Sequence, residues 1–230
     1  MVSIIIPTYN EKENIQLLIE QIFQLNIPNL LLVVADDNSP DGTGDVADVL
    51  SKKYPIYVIH RPRKMGLGTA YIQAFRHAIA SGPDYVIHMD ADLSHDPAAI
   101  PRFLEEIKKC DVVLGSRYVA GGKIENWGFA RKLISKFGNL YARLVLSLPY
   151  KDLTGGYKCF RREVLERIDL ENLSSRGYNF QIETTYYAHT RGYKICEIPI
   201  VFKERKKGQS KFNIAIIVES FFKVLLLRLR

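Results

Sequence analysis

The run Tyr85-Val86-Ile87-His88-Met89 is apolar and β-branched until it meets Asp90-Ala91-Asp92-Leu93-Ser94. Side chains alternate along a strand, so carboxylates at i and i+2 share a side. Ligands of open α/β sheets bind outside the carboxyl ends of the strands, and this pair stands at such an end. Two carboxylates there suit a hard divalent cation, Mg²⁺ or Mn²⁺, shared with the phosphates of a substrate. On its own an Asp-x-Asp is more often a solvated turn, so the rest of the chain has to decide. A second strand end is also acidic: Asp36-Asp37 follows Leu30 to Ala35. Carboxylates at that place can accept hydrogen bonds from a base or a ribose. Arg117, Arg131, Arg205 and Lys211 come after later strands, where cations can hold phosphate groups.

The elements that must position these residues follow from the hydrophobic pattern. Val2 to Ile6, Leu30 to Ala35, Ile56 to His60, the stretch from Tyr85 and Val112 to Gly115 read as strands. Helices are expected to about Leu25, Tyr54 and Ala80, and from Pro97 to about Lys109. Asn10 and Glu13 have the spacing of a reciprocal capping pair for the first helix. Strands alternating with helices at this spacing imply an α/β fold, a mostly parallel, doubly wound central sheet flanked by helices. No G-x-G-x-x-G follows the first strand and no G-x-x-x-x-G-K-[ST] occurs, which disfavours a dinucleotide fold and a P-loop ATPase. Gly66-Leu67-Gly68 reads as a turn and helix start. In the second half the pattern predicts a helix to about Leu148, a short strand at Lys158 to Phe160, a helix containing Gln181 and Glu183, and a last strand from Tyr193 to Val201.

Composition bounds the answer. With 230 residues, 47% of them hydrophobic, the chain can bury a substantial core. A net charge of +7 implies an anionic partner: a phosphorylated substrate, an acidic membrane surface or nucleic acid. No nucleic-acid motif or aromatic stacking series appears, so nucleic acid is not the expected partner. Cys110, Cys159 and Cys196 are odd in number and widely spaced. They are expected to be buried small hydrophobes in a reducing compartment, neither disulfide-linked nor zinc-binding. Met1 leads straight into a strand-like run without a basic leader. At the other end, Ile214 to Arg230 is apolar over a wide arc with charges inside it. It is short for a spanning helix, which needs about 20 apolar residues. It suits an interfacial helix on a bilayer, or a helix docked on the protein's own core.

Taken together, the pieces resemble the family 2 glycosyltransferases of GT-A fold, and within them the dolichyl-phosphate (polyprenyl-phosphate) β-mannosyltransferases. Those pieces are Ile6-Pro7-Thr8-Tyr9-Asn10-Glu11, Asp36 through Thr43, Gly66 through Ala70, Met89 through His95, Gly115 through Tyr118, Arg131 through Ser135, Asp152 through Tyr157, and Arg205 with Gly208-Gln209-Ser210-Lys211. The resemblance implies a catalytic domain over residues 1–212 and a C-terminal amphipathic, membrane-interfacial helix over 213–230. It implies that Pro7, Tyr9, Glu11, Ala35 and Asp37 line the nucleoside pocket, with Asp36 the alternative to Asp37. Asp90, Ala91 and Asp92 would lie on the donor, with Asp90 and Asp92 holding Mg²⁺ or Mn²⁺ and Ser94 beside them. Arg117, Arg205 and Lys211 would clamp the diphosphate, while Arg117, Arg131 and Ser135 would receive the acceptor phosphate.

The reaction so implied is mannose transfer from GDP-mannose to dolichyl or another polyprenyl phosphate, with inversion, on the cytoplasmic side of a membrane. A membrane-anchor subunit would be a natural partner. A phosphate monoester has a second pKa of about 6, so it is an anionic nucleophile already. No residue is therefore expected to be essential as a general base; Asp90, Asp92 and Arg117 would act by electrostatics. The rivals are a polyprenyl-phosphate transferase using UDP-glucose, a metal-dependent phosphohydrolase or nucleotidyltransferase, and a non-catalytic nucleotide-binding module.

Overall fold

The computed structural model describes residues 1–168, 170, 173, 179–204 and 214–229, with side chains from 220 onward in the last stretch. Seven strands form one sheet: β1 (Val2–Thr8), β2 (Leu30–Asp36), β3 (Ile56–His60), β4 (Tyr85–His88), β5 (Val112–Ser116), β7 (Lys158–Arg161) and β8 (Ile195–Pro199). Their order is β3-β2-β1-β4-β7-β5-β8. Every neighbour pair is parallel except those of β7, which runs antiparallel between β4 and β5. A small second sheet pairs β6 (Lys123–Glu125) with β9 (Val201–Lys203).

Alternation along the strands builds two cores. Ile4, Ile6, Leu32 and Val34 join Ile15, Leu18, Ile19 and Ile22 of α1 (Lys12–Gln24), Ala47 and Leu50 of α2 (Thr43–Ser51), and Ile100 and Phe103 of α4 (Ile100–Glu106) on one face. Ile5, Val33 and Ala35 point the other way, onto Ala70, Tyr71, Ala74 and Phe75 of α3 (Leu67–Ala80). Strands buried on both faces are what a parallel sheet under helices requires. That same face continues over α6 (Arg162–Arg167) to Phe180 of α7 (Asn179–Thr190). A third, smaller core joins α5 (Phe129–Leu146), α7 and α8 (Ile214–Leu229) through Ala142, Leu146, Ile182, Val224 and Leu227.

Several expectations are corrected. Asn10 does not cap α1; it sits at φ 58° and Glu11 precedes the helix without a side-chain cap. The loop after β2 does the work instead. Ser39 Oγ accepts from Asn10 N (3.0 Å), Thr43 Oγ1 from Glu11 N (2.9 Å) and Asp41 from Lys12 N (3.1 Å). The segment from Pro97 opens as a 3₁₀ turn, Pro97–Ala99, before α4, and the helix stops at Glu106. The last strand is broken into β8 and β9: Pro199, lacking an N–H, ends β8, and Ile200 N turns to Ser116 O at 3.1 Å. The cysteine expectation fails for two of three residues. Pairing of β5 with β8 sets Val113 opposite Cys196, which brings Cys110 to it, and the two form a disulfide with Cα atoms 6.1 Å apart. Contacts across 86 residues of sequence are invisible to spacing rules. Cys159 is free and buried, and burial raises its thiol pKa.

Candidate active site

The carboxyl ends of β1, β2 and β4 converge, because these strands are parallel neighbours with Pro7 beside Ala35 and Thr8 beside Asp36. Asp36 closes its own turn: its carboxylate accepts from Thr8 Oγ1 (2.8 Å), Ser39 N (2.8 Å) and Ser39 Oγ (2.6 Å). Asp37 ties down the next loop. It accepts from the Arg61 guanidinium and from Met65 N and Gly66 N, both at 3.2 Å. Arg61 in turn donates to Thr69 Oγ1 (2.6 Å) and Gln73 Oε1 (3.2 Å). A carboxylate has about four lone-pair sites, so each of these two acids keeps roughly one for anything else. Ala35 and Ala91 have their methyl groups in the core, which leaves only their backbone to meet a ligand. Tyr9 carries Lys64 Nζ over its ring at 4.1 Å, and Glu11 accepts from Asn14 Nδ2 at 2.8 Å.

The Asp-x-Asp pair is placed by a turn, not by strand alternation. β4 ends at His88, so Asp90 and Asp92 lie beyond it, and Leu93 adopts φ 59°. Ser94 N donates to Asp92 Oδ1 (3.1 Å) and Asp90 N to His95 Nδ1 (3.1 Å). His95 is buried; burial, with Arg117 nearby and against the pull of Asp92, lowers its pKa to about 4. The ring is therefore neutral at physiological pH, and Nδ1 is free to accept. Tyr71 Oη donates to Asp90 Oδ1 at 3.4 Å. Gly156 faces Asp90 so closely that a Cβ there would lie 3.3 Å from both carboxylate oxygens. Asp92 is buried, whereas the Asp90 side chain is 35% exposed. The donor set is all hard oxygen, and the Ser94 hydroxyl beside it is buried with no partner among the described residues. Such a set fits Mg²⁺ or Mn²⁺ better than a soft metal.

The second half supplies the cations. Arg117 follows β5 and is only 8% exposed. Its Nε and Nη2 grip the two oxygens of Asp152 at 2.7 Å each, Nη2 also reaches Thr154 Oγ1 (2.8 Å), and its backbone N meets Asp152 Oδ2 (2.9 Å). Burial works against both charges, but each outweighs it in the other: Asp152 raises the Arg117 pKa and Arg117 lowers that of Asp152. Asn139 of α5 fixes the loop, accepting from Leu153 N (2.8 Å) and donating to Thr154 Oγ1 (3.0 Å). Trp127 meets two guanidiniums, with Arg117 Cζ 5.8 Å and Arg131 Cζ 4.0 Å from its ring centroid. Arg131 also pairs with Glu204 at 3.0 Å, and Tyr118 Oη donates to Ser135 Oγ at 2.7 Å. Arg117, Arg131 and Ser135 are thus drawn round one aromatic cluster. Arg205 and Lys211, with the Gly208-Gln209-Ser210-Lys211 loop, lie outside the described residues.

Sequence reasoning missed the residues that hold this end in place. Asp152 and Thr154 stood in a noted loop, but only the ion pair across the site reveals their work. Lys158, read only as the start of a strand, is fully buried and donates to Gln181 O (2.5 Å) and Thr185 Oγ1 (2.9 Å). Burial lowers its pKa to about 7, opposed by Asp152.

The family model described as Glycosyl transferase family 2 matches residues 3–169. The chain is 44% identical over 96% of its length to undecaprenyl-phosphate mannosyltransferase of Micrococcus luteus, covering 90% of that protein. It is 43% identical over 96% to polyprenol monophosphomannose synthase of Mycolicibacterium smegmatis, covering 84% of it. Against dolichol-phosphate mannosyltransferase of Pyrococcus furiosus it is 42% identical over 95%, covering 61% of that longer protein. Among solved structures, glucosyl-3-phosphoglycerate synthase of Mycobacterium tuberculosis, in complex with Mn²⁺, UDP-glucose and phosphoglyceric acid, superposes with a TM-score of 0.75 at 15% identity, over 99% of this chain and 79% of that one. That likeness shows the GT-A fold the resemblance implied. With the model spanning most of the sheet and relatives matching nearly end to end, the chain belongs to glycosyl transferase family 2.

Proposed function

We propose that this glycosyltransferase moves mannose from GDP-mannose to a polyprenyl phosphate, with inversion, at a membrane surface. The observation that carries the reading is the two-sidedness of α5. Arg131 and Ser135 of this helix face the Arg117 cluster, while Phe129, Leu133, Ile134, Phe137, Leu140 and Leu144 are exposed. An acceptor with a phosphate at one end and an apolar chain behind it matches both faces. α8 extends the apolar surface: Val224 and Leu227 dock inward, while Phe221, Phe222, Leu225, Leu226 and Leu229 stay exposed. The inward face fits the docked reading of this helix, and the exposed apolar face supports the proposal of an interfacial one. No helix among the described residues is long and apolar enough to cross a membrane. The exposed apolar faces of α5 and α8 support peripheral attachment, and the proposal places it on the cytoplasmic side. The relatives' names supply the sugar and the lipid class.

Residues take the following roles. Pro7, Tyr9, Glu11 and the Asp36–Asp37 turn border the nucleoside. Asp90 and Asp92 would hold the divalent cation, which stabilises charge on a leaving diphosphate when bound. Arg117 faces the acceptor and donor phosphates through Nη1, the nitrogen of its guanidinium that no described residue hydrogen-bonds. Arg131 and Ser135 orient the acceptor phosphate, and Arg205 and Lys211 are assigned to the donor diphosphate. Bringing two anions together under fixed cations does the catalytic work, and no proton has to be removed.

The direct test is incubation with radiolabelled GDP-mannose, Mg²⁺ or Mn²⁺ and a short polyprenyl phosphate, followed by organic extraction. Label should enter the organic phase, and should stop doing so with chelator or in Asp92→Ala. Competition by GDP but not UDP separates this reading from a UDP-glucose enzyme. Release of free mannose phosphate instead would mark a hydrolase.

A further inference from the structure

A cavity of about 460 Å³ opens between α5 and the loop after β5. Four of its lining residues are cations: Arg117, Lys136, Arg143 and Lys151, with Val119 and Leu140 between them. Arg117 is neutralised by Asp152. The other three have no ion-pair partner among the described residues. Glu197, close by, is already used: its carboxylate accepts from the backbone N–H groups of Lys151 (2.8 Å) and Asp152 (3.0 Å). Arg143 Nε is buried with no hydrogen-bond partner among the described residues. A guanidinium N–H withdrawn from water and left unmet costs stability, so the site is short of an acceptor.

Arg117 and Tyr118 line this cavity from the acceptor side, but its α5 wall is a different stripe of the helix. Lys136, Leu140 and Arg143 repeat at i, i+4 and i+7, a stripe beside that of Arg131 and Ser135. Phe137 and Leu144, both exposed, are the next residues round the helix. We propose that this cavity is a second anion site, which binds the phosphate of an anionic bilayer lipid while Phe137, Leu140 and Leu144 sit among the acyl chains. The inference rests on the membrane-facing reading of α5, but not on which sugar is transferred. Through Lys136, Arg143 and Lys151 it gives the protein a grip on the bilayer in addition to the acceptor. The lipid is preferred to free phosphate as occupant because apolar side chains continue directly from the cationic rim.

Vesicles of phosphatidylcholine alone and of phosphatidylcholine with phosphatidylglycerol separate the possibilities, with the full chain as the protein. Anionic vesicles should bind more tightly, and the triple variant Lys136→Gln, Arg143→Gln, Lys151→Gln should lose that excess. At roughly five-fold per cation near a lipid surface, the loss is on the order of 10². Binding to neutral vesicles, and transfer to a short, water-soluble polyprenyl phosphate, should stay as in the wild type; the transfer assay also reports folding and tests the proposed function separately. A triple variant that retains the full preference for anionic vesicles overturns the proposal. So does protection of Lys136 and Lys151 from amine labelling by inorganic phosphate at concentrations where anionic vesicles give none.

Discussion

Replacing Asp152 tests the reasoning most severely, because this residue touches neither proposed substrate. Its side chain is fully buried and accepts three hydrogen bonds from Arg117, two of them from the guanidinium at 2.7 Å. Asp152→Ala leaves a buried, unpaired guanidinium, which costs about 3–5 kcal/mol. A domain holds about 5–15 kcal/mol in all, so the variant should fold but unfold at much lower urea. Asp152→Asn is the sharper probe. An amide turns one of the two acceptors into a donor, facing either Nε or Nη2 across 2.7 Å, so the fork opens. With Arg117 displaced, transfer should fall by roughly 10²–10³. The double variant Arg117→Met, Asp152→Leu then separates the two effects. Swapping a buried ion pair for apolar side chains is often neutral, so stability should return, while transfer should not. Urea midpoints and single-turnover transfer report the two quantities independently. If Asp152→Asn keeps wild-type stability and rate, or the double variant regains transfer, Arg117 is not the group that Asp152 positions for chemistry.

Three further outcomes are expected. Gly156→Ala puts a methyl 3.3 Å from both Asp90 oxygens, so the carboxylate must shift by a few tenths of an ångström. The Mn²⁺ needed for half-maximal transfer should rise about 10–100-fold, with thermal stability little changed. Lys158 has a folded pKa of about 7 against 10.5 unfolded, so the unfolded chain binds the extra proton between those values. Stability contributed through this group should therefore rise from pH 7 towards 10.5, and the difference curve against Lys158→Met should carry that slope; a flat difference would contradict the burial argument. Trp127→Ala removes the ring under Arg131, 4.0 Å away. Acceptor KM should rise about five- to thirty-fold with donor KM nearly unchanged, as steady-state kinetics with each substrate varied would show.

Most of the sheet was legible because Val2–Thr8, Leu30–Asp36 and Val112–Ser116 are short apolar runs ended by polar turns, and their alternating faces do fill two separate cores. What spacing could not give was anything decided by partners distant in sequence. Asn10 looked like a cap, but Ser39, Thr43 and Asp41 meet the first amides from across the site. Cys110 and Cys196 looked solitary until the β5–β8 pairing joined them. Asp90 and Asp92 were read from strand alternation, but β4 ends at His88, and a turn with Leu93 at positive φ, held through Ser94 and His95, places them instead.

The same distinction explains why the site is built of paired charges. Arg117 is sunk among Tyr118, Trp127 and Phe202, each within 5.8 Å, where an isolated cation would be expelled. Asp152 lets it stay, and because Nε and Nη2 are committed to that carboxylate, the guanidinium plane is fixed and Nη1 has one direction left to point. A lysine at this position would have a single charged head on a flexible stem and could not be oriented by one carboxylate in this way. Two substrates that are both phosphate anions repel each other wherever they meet. Cations already locked in place by buried acids spend no further ordering entropy when those anions arrive, whereas surface lysines would have to be immobilised at that moment.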